Sequence, residues 1–158
     1  MQTPRTHFLD NRLPPLLVAV GVAVIMRGAP SLAPALHVSW PGRELLAWVL
    51  VIVGALVIFA GVATFARHKT TVNPFKPATA SSLVDTGIYG RTRNPMYVGV
   101  ALVLLGYAAF LSHPLSLIAA LLFPAYIHRF QIAPEERALD SVFGEAYEAY
   151  KKRVPRWL

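Results

Sequence analysis

The sequence predicts an all-α polytopic membrane bundle of about four transmembrane helices with a cytoplasmic amphipathic C-terminal helix. Three observations carry that prediction. Hydrophobic residues make up 55% of the 158 positions and charged residues only 15%, with a mean hydropathy of +0.49. That is too apolar for an ordinary soluble domain of one-domain length. The run from Leu45 to Ala66 carries no charge at all. The basic residues, which give a net charge of +7, gather at the ends of apolar segments rather than along one polar face. That placement suits membrane orientation and argues against nucleic acid as a partner. With no cysteine, disulfides, thiolate nucleophiles and Cys-ligated metals are excluded.

The four apolar spans are read over 13–27, 45–66, 95–112 and 114–129 within a single domain, 1–158. At about 1.5 Å per residue the second crosses a hydrocarbon core of about 30 Å. The first is shorter, entered through Leu13-Pro14-Pro15 and ended by Arg27. Arg27 follows the apolar run and no small-residue cleavage site is evident, so a retained span is expected rather than a signal peptide. The third and fourth are separated by Ser112-His113-Pro114, a turn that makes them an antiparallel hairpin. Both fall short of about 20 residues, and Arg93 and Arg129 beside them can snorkel toward the headgroups. Gly99, Gly106 and Ala108 offer small surfaces for close helix approach.

Loop charge sets the expected orientation. Arg67, Lys69, Lys76, Arg91 and Arg93 lie between the second and third spans. Arg129, Arg137, Lys151, Lys152, Arg153 and Arg156 follow the fourth. The stretch from Gly28 to Glu44 carries only Arg43, beside the flanking Arg27, and the 112–114 turn carries no basic residue. A multi-pass protein of the bacterial inner membrane with both termini cytoplasmic is expected. The tail differs in kind. Five of the eight acidic residues lie at or after Glu135, and Leu139, Phe143, Ala146, Tyr147 and Tyr150 recur at helical spacing. An amphipathic helix over 134–153 is expected to lie under the bundle, with Pro134 in its first turn, Glu135 and Glu136 at its positive end, and Gly144 interrupting it.

Chemistry-bearing residues concentrate in Gly87-Ile-Tyr-Gly-Arg-Thr-Arg-Asn-Pro-Met-Tyr-Val-Gly99, then Glu135-Glu136, then Phe143 to Tyr150, then Val154-Pro-Arg156. Each has a plain structural explanation: arginines at a membrane boundary, Asn94-Pro95 as a helix start, glutamates at a helix N-terminus, tyrosines in an interfacial belt. Their order around apolar segments, densest from Thr70 to Trp157, resembles the isoprenylcysteine carboxyl methyltransferase and phospholipid methyltransferase superfamily of integral membrane enzymes, in its bacterial-type branch. The resemblance implies S-adenosyl-L-methionine as cofactor and a lipophilic methyl acceptor, isoprenylcysteine-carboxylate-like or lipid, approaching from among the membrane lipids. In that superfamily an Arg–His/Asn–Pro–x–Tyr–x–Gly element and a later Glu-Glu pair line the cofactor pocket. These map onto Arg93, Asn94, Pro95, Tyr97, Gly99, Glu135 and Glu136. Asn94 stands where the isoprenylcysteine enzymes have histidine and matches the phospholipid-type relatives better. Thr70-Thr71-Val72-Asn73-Pro74 also looks like the bacterial branch; a loop turn at Asn73-Pro74 explains it as well.

Methyl transfer from a sulfonium is an in-line displacement, so positioning is the protein's main contribution. The donor needs a cationic corner, an acidic corner and an apolar slot. Arg91, Arg93 and Asn94 suit the first, and Glu135 and Glu136 the second. Tyr89, Tyr97, Tyr147 and Tyr150 can wall the adenine or face the sulfonium. Tyr147, Tyr150 and Arg153 are also candidates for the acceptor, with Arg153 or Arg156 set against an acceptor carboxylate or, equally, a lipid headgroup. A carboxylate acceptor needs no general base, whereas a primary amine or thiol must lose a proton. Histidines 7, 37, 68, 113 and 128 lack metal-ligand spacing, and His128 is a minor site candidate. Two rivals keep the same architecture: methyl transfer to phosphatidylethanolamine, another lipid amine or a small thiol, and a non-catalytic membrane scaffold.

Overall fold

The computed structural model describes residues 8–67 and 83–158, so Thr70 to Pro74, His7, His68, Lys69 and Lys76 lie outside the described residues. Among the described residues every regular element is helical. The helices are α1 (Pro15–Gly28), α2 (Arg43–Arg67), α3 (Pro95–Leu111), α4 (Pro114–Phe143) and α5 (Glu145–Arg153). Among the described residues three segments are long and apolar enough to cross a membrane: Pro15–Leu32, Arg43–Arg67 and Pro114–Phe143. The apolar α3, at 17 residues, is shorter. The protein is an integral membrane protein.

Small residues let α2 and α3 pack along their length. A Cβ built on Gly99 would stand 2.5 Å from Ile58 Cγ1 and 2.6 Å from the Gly54 carbonyl oxygen; one on Gly106 would stand 2.8 Å from the Ala47 carbonyl. Only glycine permits that approach, as in close-packed membrane helix pairs. The other face of α3 joins α1 and α4 in a core containing Met26, Leu104, Ala108, Phe123, Ile127 and Ile132. Within it the Ser116 hydroxyl donates to the Met26 carbonyl at 2.7 Å, a bond worth about 0.6–2 kcal/mol between membrane helices. Leu45, Trp48, Ile52, Leu56 and Phe59 of α2 are exposed, the lipid-facing pattern of a bilayer protein.

The Ser112-His113-Pro114 turn forms as expected from its residues. Ser112 takes a left-handed φ of 50°. The His113 ring accepts from the Leu115 N–H at 3.2 Å and meets the Ala33 carbonyl at 3.0 Å.

The expected end of the fourth span near residue 129, with a separate helix from Pro134, does not form. One helix runs from Pro114 to Phe143 through a π-helical turn at His128–Ile132. Pro134 therefore sits inside a helix, where it removes an N–H and strands the carbonyl four residues back. That carbonyl, of Phe130, accepts from the Asn11 N–H at 2.9 Å instead. The tail splits at Gly144, whose φ of 52° and ψ of −124° side-chain-bearing residues rarely adopt. Leu139 and Phe143 of α4 pack on Tyr147, Tyr150 and Val154 from α5 and the residue after it.

Candidate cofactor site

The site forms where the first turn of α3, the middle of α4, α5 and the extended segment after α5 converge. Asn94 precedes Pro95, which occupies the first helical position where its missing N–H is harmless. The Asn94 side chain does not cap α3. It donates through Nδ2 to the Arg156 carbonyl at 2.8 Å, and the neighbouring Arg93 N–H donates to the Pro155 carbonyl at 3.0 Å. The motif therefore grips the C-terminal segment.

Glu135 and Glu136 do different work. The Tyr97 hydroxyl donates to Glu135 Oε1 at 2.6 Å. Glu136, 8% exposed, lies between two guanidiniums. Arg93 Nη2 stands 3.1 Å from its Oε1. Arg156 forks it, Nε at 3.0 Å from Oε1 and Nη2 on Oε2. Charge-assisted forks of this kind are the stronger hydrogen bonds, and this one raises the Arg156 guanidinium further above its ordinary range. Arg156 Nη1 also meets His128 Nε2 at 3.0 Å. Of the glutamate pair, then, Glu136 holds arginines and Glu135 is the carboxylate held by a hydroxyl.

The Arg93 side chain is only 10% exposed, yet its Nε and Nη1 are buried without a hydrogen-bond partner. A buried donor left unmade costs about 1–3 kcal/mol, more for a charged group. Nε and Nη1 flank Nη2 on different edges of the guanidinium, and buried cationic donors of this kind suit a carboxylate oxygen.

The tyrosines wall the same region. Tyr89 is 5% exposed and meets Phe65 edge to face, with ring centroids 5.0 Å apart. The Tyr150 hydroxyl donates to the Tyr89 carbonyl at 2.7 Å, and the Tyr147 and Tyr150 rings lie 5.9 Å apart. Burial raises all three hydroxyls above the usual phenol range. Glu135 reinforces the rise at Tyr89, and Arg93 opposes it at Tyr147 and Tyr150. All three are thus neutral, aromatic surfaces.

Two candidates stand apart. Gly99 packs against α2 at the Gly54 crossing rather than facing the polar groups. Arg153 pairs with Asp85 and is 62% exposed, at the rim. Arg156, three residues on, is the arginine that reaches the buried pair, because the chain leaves helical geometry at Val154 and turns inward. Spacing along α5 gave no signal for that, and the Val154-Pro-Arg156 segment did not by itself separate Arg156 from Arg153.

The fold and site thus define a membrane helical bundle with a paired Arg/Glu centre at one end. Comparison of the sequence places it further. The family model described as phospholipid methyltransferase matches residues 43–146, and the chain belongs to that family. Human protein-S-isoprenylcysteine O-methyltransferase is 29% identical over 128 residues, 77% of this chain and 45% of the relative. The Schizosaccharomyces pombe protein of the same name is 40% identical over 76 residues, 46% of this chain and 31% of the relative. An uncharacterized Haemophilus influenzae protein is 41% identical over 63 residues, 40% of this chain and its own full length. The chain thus spans less than half the length of the human and fission-yeast enzymes. No solved structure matches it.

Proposed function

We propose that this protein is an S-adenosyl-L-methionine-dependent methyltransferase of the membrane, acting on a lipophilic acceptor of isoprenylcysteine-carboxylate or lipid type. The observation that carries the reading is the pair of buried, unpartnered donors Nε and Nη1 of Arg93, set beside Glu135 and four tyrosines in a family of methyltransferases. The cofactor supplies an electrophilic methyl on a sulfonium. Arg93, held by Glu136, would receive the carboxylate of its amino-acid portion. Glu135, oriented by the Tyr97 hydroxyl, would receive the ammonium or ribose hydroxyls. Tyr89, Tyr147 and Tyr150 would line the adenine or the sulfonium, where neutral rings attract a cation. Pro95 fixes the entry of α3, and Asn94 holds the C-terminal segment against the pocket. Arg153, exposed at the rim beside Asp85, would meet an acceptor carboxylate or a lipid headgroup.

A second reading, a lipid amine such as phosphatidylethanolamine as acceptor, is favoured by the phospholipid methyltransferase match and by Asn94 in the histidine position. An amine must lose a proton, and Glu135 is the carboxylate in the pocket able to take one. The bacterial inner membrane with both termini cytoplasmic fits the gathering of Arg67, Arg93, Arg129, Arg137 and α5 at one end. The test supplies methyl-labelled S-adenosylmethionine to membranes containing the protein, with total lipid or a prenylated thiol added, and identifies the labelled product. Label in a prenylcysteine ester supports the first reading and label in a lipid amine the second. Incorporation no higher than in membranes lacking the protein contradicts both.

A further inference from the structure

After α5 the chain takes extended backbone at Val154, with φ −121° and ψ 127°, and runs back between the start of α3 and α4. It is held there from several sides. Arg93 N–H binds the Pro155 carbonyl. Asn94 Nδ2 and the Thr92 hydroxyl bind the Arg156 carbonyl at 2.8 and 3.4 Å. Val154 is 1% exposed, and Trp157 packs against the α1–α3–α4 core. This clasp fixes the backbone from which Arg156 sends its fork to Glu136, while His128 meets the remaining nitrogen.

The consequence falls on Arg93. A carboxylate facing one guanidinium takes it in a two-point fork. Glu136 gives its fork to Arg156, and Arg93 touches it through Nη2 alone, leaving Nε and Nη1 buried and unpaired. Charge points the same way. Within the Arg93–Glu136–Arg156 cluster two guanidiniums and one carboxylate leave one positive charge, which one ligand carboxylate neutralises. Glu135 is left for the ammonium or hydroxyls of the same ligand. Without Arg156 the Arg93–Glu136 pair is neutral and gives an entering carboxylate no net attraction.

We infer that Arg156 is a positioning residue: it holds Glu136 away from full pairing with Arg93, keeping the unpaired Nε and Nη1 donors of Arg93 for the carboxylate of the methyl donor. The inference rests on the pocket proposed above, with Arg156 acting through Glu136 and Arg93 rather than by touching the donor.

The experiment is calorimetric titration of the purified protein in detergent with two ligands. S-adenosylhomocysteine carries the amino-acid carboxylate, and 5′-methylthioadenosine lacks it. Arg156→Gln weakens S-adenosylhomocysteine about tenfold, the scale of one charge-assisted hydrogen bond, and leaves 5′-methylthioadenosine unchanged. The double variant Arg156→Gln/Glu136→Gln recovers much of that loss, because the amide no longer competes for Arg93. Should Arg156→Gln not fold, Arg156→Lys, which has charge but no fork, shows a smaller loss with the same selectivity. Equal weakening of both ligands, or no recovery in the double variant, overturns the inference and leaves the clasp a purely structural tie. Wild-type binding that Arg156→Gln does not alter overturns it alone, with the pocket intact. No binding of S-adenosylhomocysteine by the wild type overturns it together with the pocket.

Discussion

Tyr150 joins two parts of the site by one hydrogen bond, from its hydroxyl to the Tyr89 carbonyl. Burial holds that hydroxyl above the usual phenol range, against the opposing charge of Arg93. A phenol whose folded value is raised contributes stability that is fully present below its unfolded value of about 10 and declines as pH rises through the folded value. Stability is therefore expected to hold to about pH 10 and fall above it. Tyr150→Phe should cost about 0.5–1.5 kcal/mol at neutral pH and make the alkaline decline shallower. Melting curves across pH test this, and an alkaline slope equal to wild type would remove Tyr150 from the account. At this scale the sequence was only partly legible. Glu135 and Glu136 read as equivalents, and only the fold separates the carboxylate held by Tyr97 from the one locked between Arg93 and Arg156. Arg153 and Arg156 likewise read as one basic cluster, until the extended backbone at Val154 turns one inward.

Among the elements, α2 and α3 depend on glycine where they cross. The sequence puts Gly99 in the cofactor element, and in the structure its missing side chain admits Gly54 and Ile58. Gly99→Ala puts a methyl against a backbone oxygen that cannot move cheaply. The expected loss is about 1–3 kcal/mol, as for other overpacked interiors. An unchanged melting temperature in detergent would show that the crossing has slack. The apolar helices themselves were legible, since hydrophobic length decides them. The continuity of α4 was not. Pro134 reads as a helix start on local rules, and the N–H that satisfies the stranded Phe130 carbonyl belongs to Asn11, far away in the chain.

Over the whole molecule the helices bring the polar machinery to one end. The ends of α2 and α3, the π-helical turn of α4 and all of α5 meet there, with Arg67, Arg93, Arg129 and Arg137 nearby. Asp10, at the entrance to α1, pairs with Arg129 and Arg137 at that same end. If it faces the cytoplasm, as the basic loops predict, a reporter active only outside the cytoplasm and fused after Leu158 gives no signal; a strong signal reverses the orientation. In the function proposed above, this end is a pocket for S-adenosylmethionine with Glu135 as its acidic corner. The direct measurement is the affinity of S-adenosylhomocysteine for purified wild type and for Glu135→Gln, with both confirmed folded by melting temperature. Binding by the wild type and a loss of about 1.5–3 kcal/mol in the variant, one charge-assisted hydrogen bond, is the predicted result. Equal affinity in both proteins, or none in the wild type, contradicts it.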